Sequence, residues 1–202
     1  PGTFRHLVRG DCRRRRGPVR DNEKMQHSTP LPIDPIAEAK RQWIEHGWHE
    51  AAGGMAAVTS IMRAQQIVLM RVEAELKPYA LTFARFELLR LLGFSRGGGL
   101  PMSSASARLQ VHPTSVTNTV DRLERDGLVR RIAHPTDGRA VIVELTNEGR
   151  AALERATTAL NDGVFSQPGL DPADLSTLVG VLARFRRDAG DFEVPPPPPD
   201  PL

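Results

Sequence analysis

Cysteine is almost missing from this 202-residue chain; Cys12 is the only one. A single thiol forms no intrachain disulfide, which fits a reducing compartment and leads us to expect a cytoplasmic protein. Cys12 also has no second thiol to resolve it within the chain, so peroxide sensing through it is not expected. No apolar run is long enough to cross a bilayer. The first residues lack the apolar stretch of a secretory signal. Motifs of covalent or phosphate chemistry are missing as well. The glycines of "SRGGGLP", 95–101, come without the lysine and serine of a phosphate-binding loop. No nucleophile elbow and no paired carboxylate site is visible. We therefore expect no enzyme, no catalytic residue and no cofactor. Metal has one weak candidate, "EHGWHE" at 45–50, where His46 and His49 stand with Glu45 and Glu50. Those are zinc-type ligands, but Gly47 breaks the helical register and no second cluster accompanies them, so no metal is expected.

Charge is present but unevenly placed. The formal net charge is +3, and residues 1–20 alone carry seven arginines against Asp11, which leaves −3 for the rest. The high pI therefore says nothing about the folded part; it describes a basic arm. Residues 1–33 read as disordered. The arm either holds phosphates without sequence preference or lies upstream of a natural start at Met25, and the second is the stronger expectation. "EVPPPPPDPL" at the far end reads as an extended Pro-rich tail over 191–202. Between these ends the composition, 40% hydrophobic and 25% charged, is that of an ordinary globular protein, with no internal repeat.

Helical periodicity dominates this middle part. An acidic cap and a proline open a helix over 34–48, with Ile36, Trp43 and Ile44 on or near one face and Gly47 as its end. A long helix over 51–77 carries Met55, Val58, Ile61, Met62, Ile67, Val68, Val72 and Leu76, more than one narrow stripe, so it needs cover on several sides. A third helix over 81–94 points Leu81, Ala84, Leu88, Leu91 and Leu92 inward. "SRGGGLP" reads as a loop. A short helix over 102–111 offers Ala105, Leu109 and Val111 to the core. Two more follow, Glu148–Leu160 and Pro172–Asp188, the last capped by Asp171 with Leu175, Leu178, Val179, Leu182 and Phe185 at helical spacing.

"HPTSVTNTVDRLERDGL", 112–128, is the stretch that carries function. Val116, Val120 and Leu123 recur at i, i+4, i+7 and form one narrow stripe. Thr114, Ser115, Thr117, Asn118, Arg122 and Arg125 lie off it, and their hydroxyl, amide and guanidinium groups suit base edges and phosphates. With the short helix before it, this is a helix-turn-helix arrangement whose second helix enters the major groove. "LVRRIAHPTDGRAVIVELT", 128–146, then places β-branched strands on both sides of the Asp137-Gly138 turn, with Val141, Val143 and Leu145 alternating toward one face. A hairpin directly after the second helix makes a wing. Arg139 stands at its tip, with Arg130 and Arg131 at its base, in reach of flanking DNA. The bland alternative is an exposed amphipathic helix and a structural hairpin in which Asp137 and Arg139 simply pair.

From about Ile36 to Leu182 the chain resembles the MarR family of bacterial transcriptional regulators. The resemblance is strongest in "HPTSVTNTVDRLERDGLVRR" and in "DGRAVIVELTNEGR", where the family's Asp-x-Arg wing is followed by Leu-x-Leu-Thr and Val143 stands for the first leucine. It implies a mainly α fold with a small β-hairpin wing: a winged helix-turn-helix domain over 81–146 and a helical dimerisation region over 34–80 and 147–190. It also implies a homodimer acting on a pseudo-palindromic operator in double-stranded DNA, as a repressor released by a small aromatic or phenolic effector. DNA contacts carry over onto Thr114, Ser115, Thr117, Asn118, Arg122 and Arg139, with Asp137 orienting Arg139. The helix with Trp43 is similar to an extra helix of urate-responsive members. Glu87 stands where those members place an acid, but Phe94 and Thr119 replace their arginines, which argues against urate; a pocket near Trp43, His46 and Phe86 is what remains. The alternative of another class is a helical protein-interaction module without DNA binding.

Overall fold

The computed structural model describes residues 30–135 and 140–192. The arm up to residue 29, the wing tip with Asp137 and Arg139, and the Pro-rich tail beyond 192 lie outside them. The chain forms two compact units that divide between Thr59 and Ser60.

In the first unit, α1 spans Pro35–Glu45. Its start follows from chemistry: the Asp34 carboxylate accepts from the Ile36 N–H at 2.9 Å, and Pro35 at the first position needs no partner for a missing N–H. Its end follows from Gly47, whose φ of +85° only glycine adopts without strain. Helix α2, His49–Leu76, begins here and continues into the second unit.

Seven helices and three strands are described in all, so the fold is mainly α with a small sheet, as expected. In the second unit α2 ends in a short 3-10 turn at Lys77–Tyr79. There follow α3, Phe83–Phe94, with Thr82 as its cap; β1, Gly99–Pro101; α4, Met102–Leu109; and α5, Pro113–Arg125. Strands β2, Val129–Ala133, and β3, Val141–Leu145, lead into α6, Asn147–Leu160, a π-helical turn at Asn161–Phe165, and α7, Pro172–Asp188. The core gathers Leu76, Phe86, Leu88, Leu89 and Leu92 with Val120, Leu123, Val143, Leu153 and Leu160, all 5% exposed or less.

Several expectations need correction. "SRGGGLP" is not only a loop: Gly99–Pro101 pairs with β3, so the sheet has three antiparallel strands in the order β1-β3-β2. A three-residue strand has no alternation to detect, and Pro101 fits only because β1 is an edge. Within α3, Ala84 is exposed while Phe86 and Leu89 are buried, because this helix is covered on more than one side. Val111 is 43% exposed, since α4 stops at Leu109 and Gln110 turns the chain in the left-handed conformation at φ +53°. On β3, Val143 and Leu145 are buried but Val141 is 38% exposed.

Two helices show apolar surface where cover was expected. Among its described residues α7 buries none, and Val179 and Phe185 are about 60% exposed. On α2, Val58, Ile61, Met62, Ile67 and Val68 are exposed, whereas Val72 and Leu76 are buried.

The junction of sheet and α6 is set by a missing side chain. Thr146 caps α6 by accepting from the Gly149 N–H at 2.9 Å, and its own N–H donates to the Leu128 carbonyl. A Cβ on Gly149 would lie 1.9 Å from that carbonyl oxygen. Gly149→Ala should therefore destabilise the protein by roughly 1–3 kcal/mol through overpacking, although alanine is the better helix former by about 1 kcal/mol. Thermal unfolding checks this; an unchanged or higher midpoint would mean the junction is looser than described.

Candidate nucleic-acid interface

Helix α5 starts on an unusual cap. The ring Nδ1 of His112 accepts from the Thr114 N–H at 3.3 Å, which requires that nitrogen to be unprotonated, and Pro113 fixes the first turn. Just before it, the Ser106 hydroxyl donates to the Val111 carbonyl at 2.7 Å and closes the turn between α4 and α5. The side chain of Gln110, in the same turn, donates to the Asp191 carbonyl at 2.6 Å.

The buried stripe of α5 is the expected one: Val116, Val120 and Leu123 are 2% exposed or less. Thr114, Ser115, Thr117, Asn118 and Arg122 are all exposed and lie together along the front of the helix. Thr117 and Thr119 donate their hydroxyls back to the carbonyls of Pro113 and Ser115, at 3.1 and 2.8 Å. Their oxygens keep free lone pairs to accept from outside. The side chains of Asn118 and Arg122 have no polar partner among the described residues. Arg139 and Asp137 lie outside the described residues.

What the sequence did not reveal is how α5 is held. At its C-terminal end the Arg85 guanidinium, from α3, donates to the Ala80 carbonyl at 2.8 Å and pairs with Asp126. Gly127, at φ +73°, lets the chain turn back, and the Thr146 hydroxyl donates to its carbonyl at 2.7 Å. Alongside β2, Arg131 pairs with both Asp121 and Glu124. Arg130, by contrast, pairs across the sheet with Glu144 at 3.0 Å. The acids in these ion pairs stand 7 to 41 positions away in sequence, and no periodicity signals them.

The residues expected at an effector pocket belong to different units. Trp43 and His46 gather with Trp48 in the first unit: the two indoles meet edge-on with centroids 5.3 Å apart, and His46 stacks on Trp48 at 5.6 Å. Phe86 belongs to the core of the second unit, 5% exposed and stacked with Phe83. Glu87 and Thr119 line a small cavity of about 60 Å³ with Leu88, Leu109 and Val116, and partial burial there raises the Glu87 carboxyl from its ordinary value. Phe94 is 61% exposed with the Arg90 guanidinium 4.4 Å above its ring. Among the described residues no group of three or more acids, histidines or cysteines is placed to hold a metal, and no helix is long and apolar enough to cross a membrane.

A polar-fronted second helix, a tight turn before it and a hairpin after it are what the comparisons with known proteins match. Residues 81–141 fit the model of the MarR family. A MarR family transcriptional regulator of Streptomyces coelicolor, Sco5413, has a solved structure that superposes with a TM-score of 0.63 at 49% identity, covering 70% of this chain and 99% of that one. The HTH-type transcriptional repressor Rv2887 of Mycobacterium tuberculosis is 32% identical over 96 residues, 48% of this chain and 68% of that protein. The transcriptional repressor CouR, solved bound to a 23-mer DNA duplex, superposes with a TM-score of 0.58 at 28% identity, over 62% of this chain and 89% of that one. Of three other curated relatives the chain spans less, 45% to 60% of their length. The fold, the helix-turn-helix and the matched relatives agree: this chain belongs to the MarR family of transcriptional regulators.

Proposed function

We propose that the protein binds double-stranded DNA by sequence and acts as a transcriptional repressor in the bacterial cytoplasm. One observation carries the reading. Thr114, Ser115, Thr117, Asn118 and Arg122, along the polar front of α5, are exposed on a helix whose apolar stripe is buried. A helix so anchored offers hydroxyls, an amide and a guanidinium to a partner of matching pattern, and a DNA major groove has that pattern. In this reading Asn118 and Arg122 contact bases, and Thr114, Ser115 and Thr117 contact bases or phosphates. Arg139, oriented by Asp137, reaches the flanking minor groove.

The acting species is a homodimer on a pseudo-palindromic operator. Residues 81–146 read the DNA, and residues 34–80 and 147–190 join the two copies. The exposed apolar residues of α7 and of α2 support this, since unpaired helix faces of that size favour association. A small aromatic or phenolic effector releases the complex. Its support in this chain is the ring cluster of Trp43, His46 and Trp48, with Trp48 54% exposed.

Sedimentation at micromolar concentration should show one species of twice the 22.2 kDa chain mass; a stable single-chain species would overturn the dimer. For DNA binding, the probes are a duplex selected from random sequence by the wild-type protein and a scrambled duplex of equal length. Asn118→Ala and Arg122→Ala should each cost about 1–3 kcal/mol on the selected duplex and much less on the scrambled one. Equal losses on both would make them phosphate contacts. Arg139→Ala should weaken binding most on duplexes with A·T-rich flanks, with its melting temperature kept. Unchanged affinity with a lower melting temperature would make Arg139 a structural residue.

A further inference from the structure

The sequence puts Arg130 and Arg131 together at the base of the wing, in reach of DNA. The surroundings of Arg131 indicate otherwise. Its cross-strand partner is Val143, which is fully buried, so Arg131 stands on the inner face of β2, beside α5. The side chain is only 26% exposed. One arm of its guanidinium donates to Glu124 and the other to Asp121, while its backbone N–H donates to the second Glu124 oxygen at 2.9 Å. Glu124 thus grips both the main chain and the side chain of the same residue. Both outward arms of the fork are used on protein carboxylates, which leaves this cation poorly placed to meet a phosphate.

We infer that Arg131 is a positioning residue for DNA recognition, fixing the wing strand to the recognition helix through Glu124 and Asp121 without touching DNA. This rests on the DNA-binding reading given above. The physical case is geometric. A planar fork paired with two carboxylates sets an angle as well as a distance, and β2 is the strand that leads to the wing tip. Arg131 therefore makes the fit of helix and wing to one DNA geometry possible, which is a matter of specificity more than of attraction.

The test uses the full chain, the selected duplex and the scrambled duplex. Arg131→Gln and Arg131→Lys should each lose affinity for the selected duplex, by roughly 10- to 100-fold, within the range of coupling between contacting residues. Binding to the scrambled duplex, and its salt dependence, should stay unchanged. Lysine keeps the charge but not the fork, so failure of Lys to rescue separates positioning from simple charge. Glu124→Gln gives an opposite-sign check. Removing an anion near DNA should strengthen binding if Arg131 contacts phosphate, and should weaken the selected duplex if Arg131 positions the wing. The inference is overturned if Lys restores full affinity, if Glu124→Gln tightens binding, or if Arg131→Gln flattens the salt slope on scrambled DNA by about one unit, as a lost phosphate contact would. Thermal melting accompanies each variant; should Arg131→Gln unfold, Glu124→Gln decides alone. If the wild-type protein selects no duplex, the DNA-binding reading itself fails, an outcome distinct from all of these.

Discussion

Burial of three side chains on one edge of α5 is the constraint on which the rest depends. Val116, Val120 and Leu123 are buried to 2% or less, and each such burial is worth roughly 1.5–3 kcal/mol. Almost everything else on the helix is polar, so this stripe alone docks it. A narrow stripe fixes where the helix lies but leaves it free to roll. The ion pairs at its margins remove that freedom, Arg85 on Asp126 at one end and Arg131 on Asp121 and Glu124 along one side. Apolar burial holds the helix in place, and charge pairing sets its rotation.

The same chain treats α7 in the opposite way. Helix α7 is richer in apolar residues than α5, yet among the described residues it buries none. The docked helix is the polar one and the uncovered helix is the apolar one. In each case the residues left outward decide what kind of partner fits: a hydrogen-bonding surface for the first, an apolar surface for the second.

Much of this was legible in the sequence because helices announce themselves twice, by period and by punctuation. Asp34, Pro113, Asp171 and Pro172 mark starts that the structure keeps, and Gly47 and Gly127 mark ends. The polar front of α5 could be read because a buried stripe predicts its own complement. Where a helix is covered on two sides, as α3 is, one stripe is the wrong template, and Ala84 was favoured over Phe86 and Leu89. The strand at Gly99–Pro101 was hidden by its shortness. Arg85 and Arg131 were hidden for another reason: an arginine in sequence looks the same whether its partner is a phosphate or a carboxylate. Only the fold brings Asp126 and Glu124 to them and so decides between the two.

The strand order carries a consequence in time. Strand β3 is central, and both β1 and β2 pair only with it. As the chain is synthesised, β1 is complete some 40 residues before β3 exists. At about 5–20 residues per second that is a wait of several seconds. During it the edge strand has no ladder, and the helix-turn-helix stands without the sheet that flanks it. The core contacts of Val143 and Leu145 close this part of the fold only when the last strand arrives. The middle of the sheet is the last of its strands to be made, and its pairing with β1 reaches back across about 40 residues, the kind of non-local contact that folds slowly.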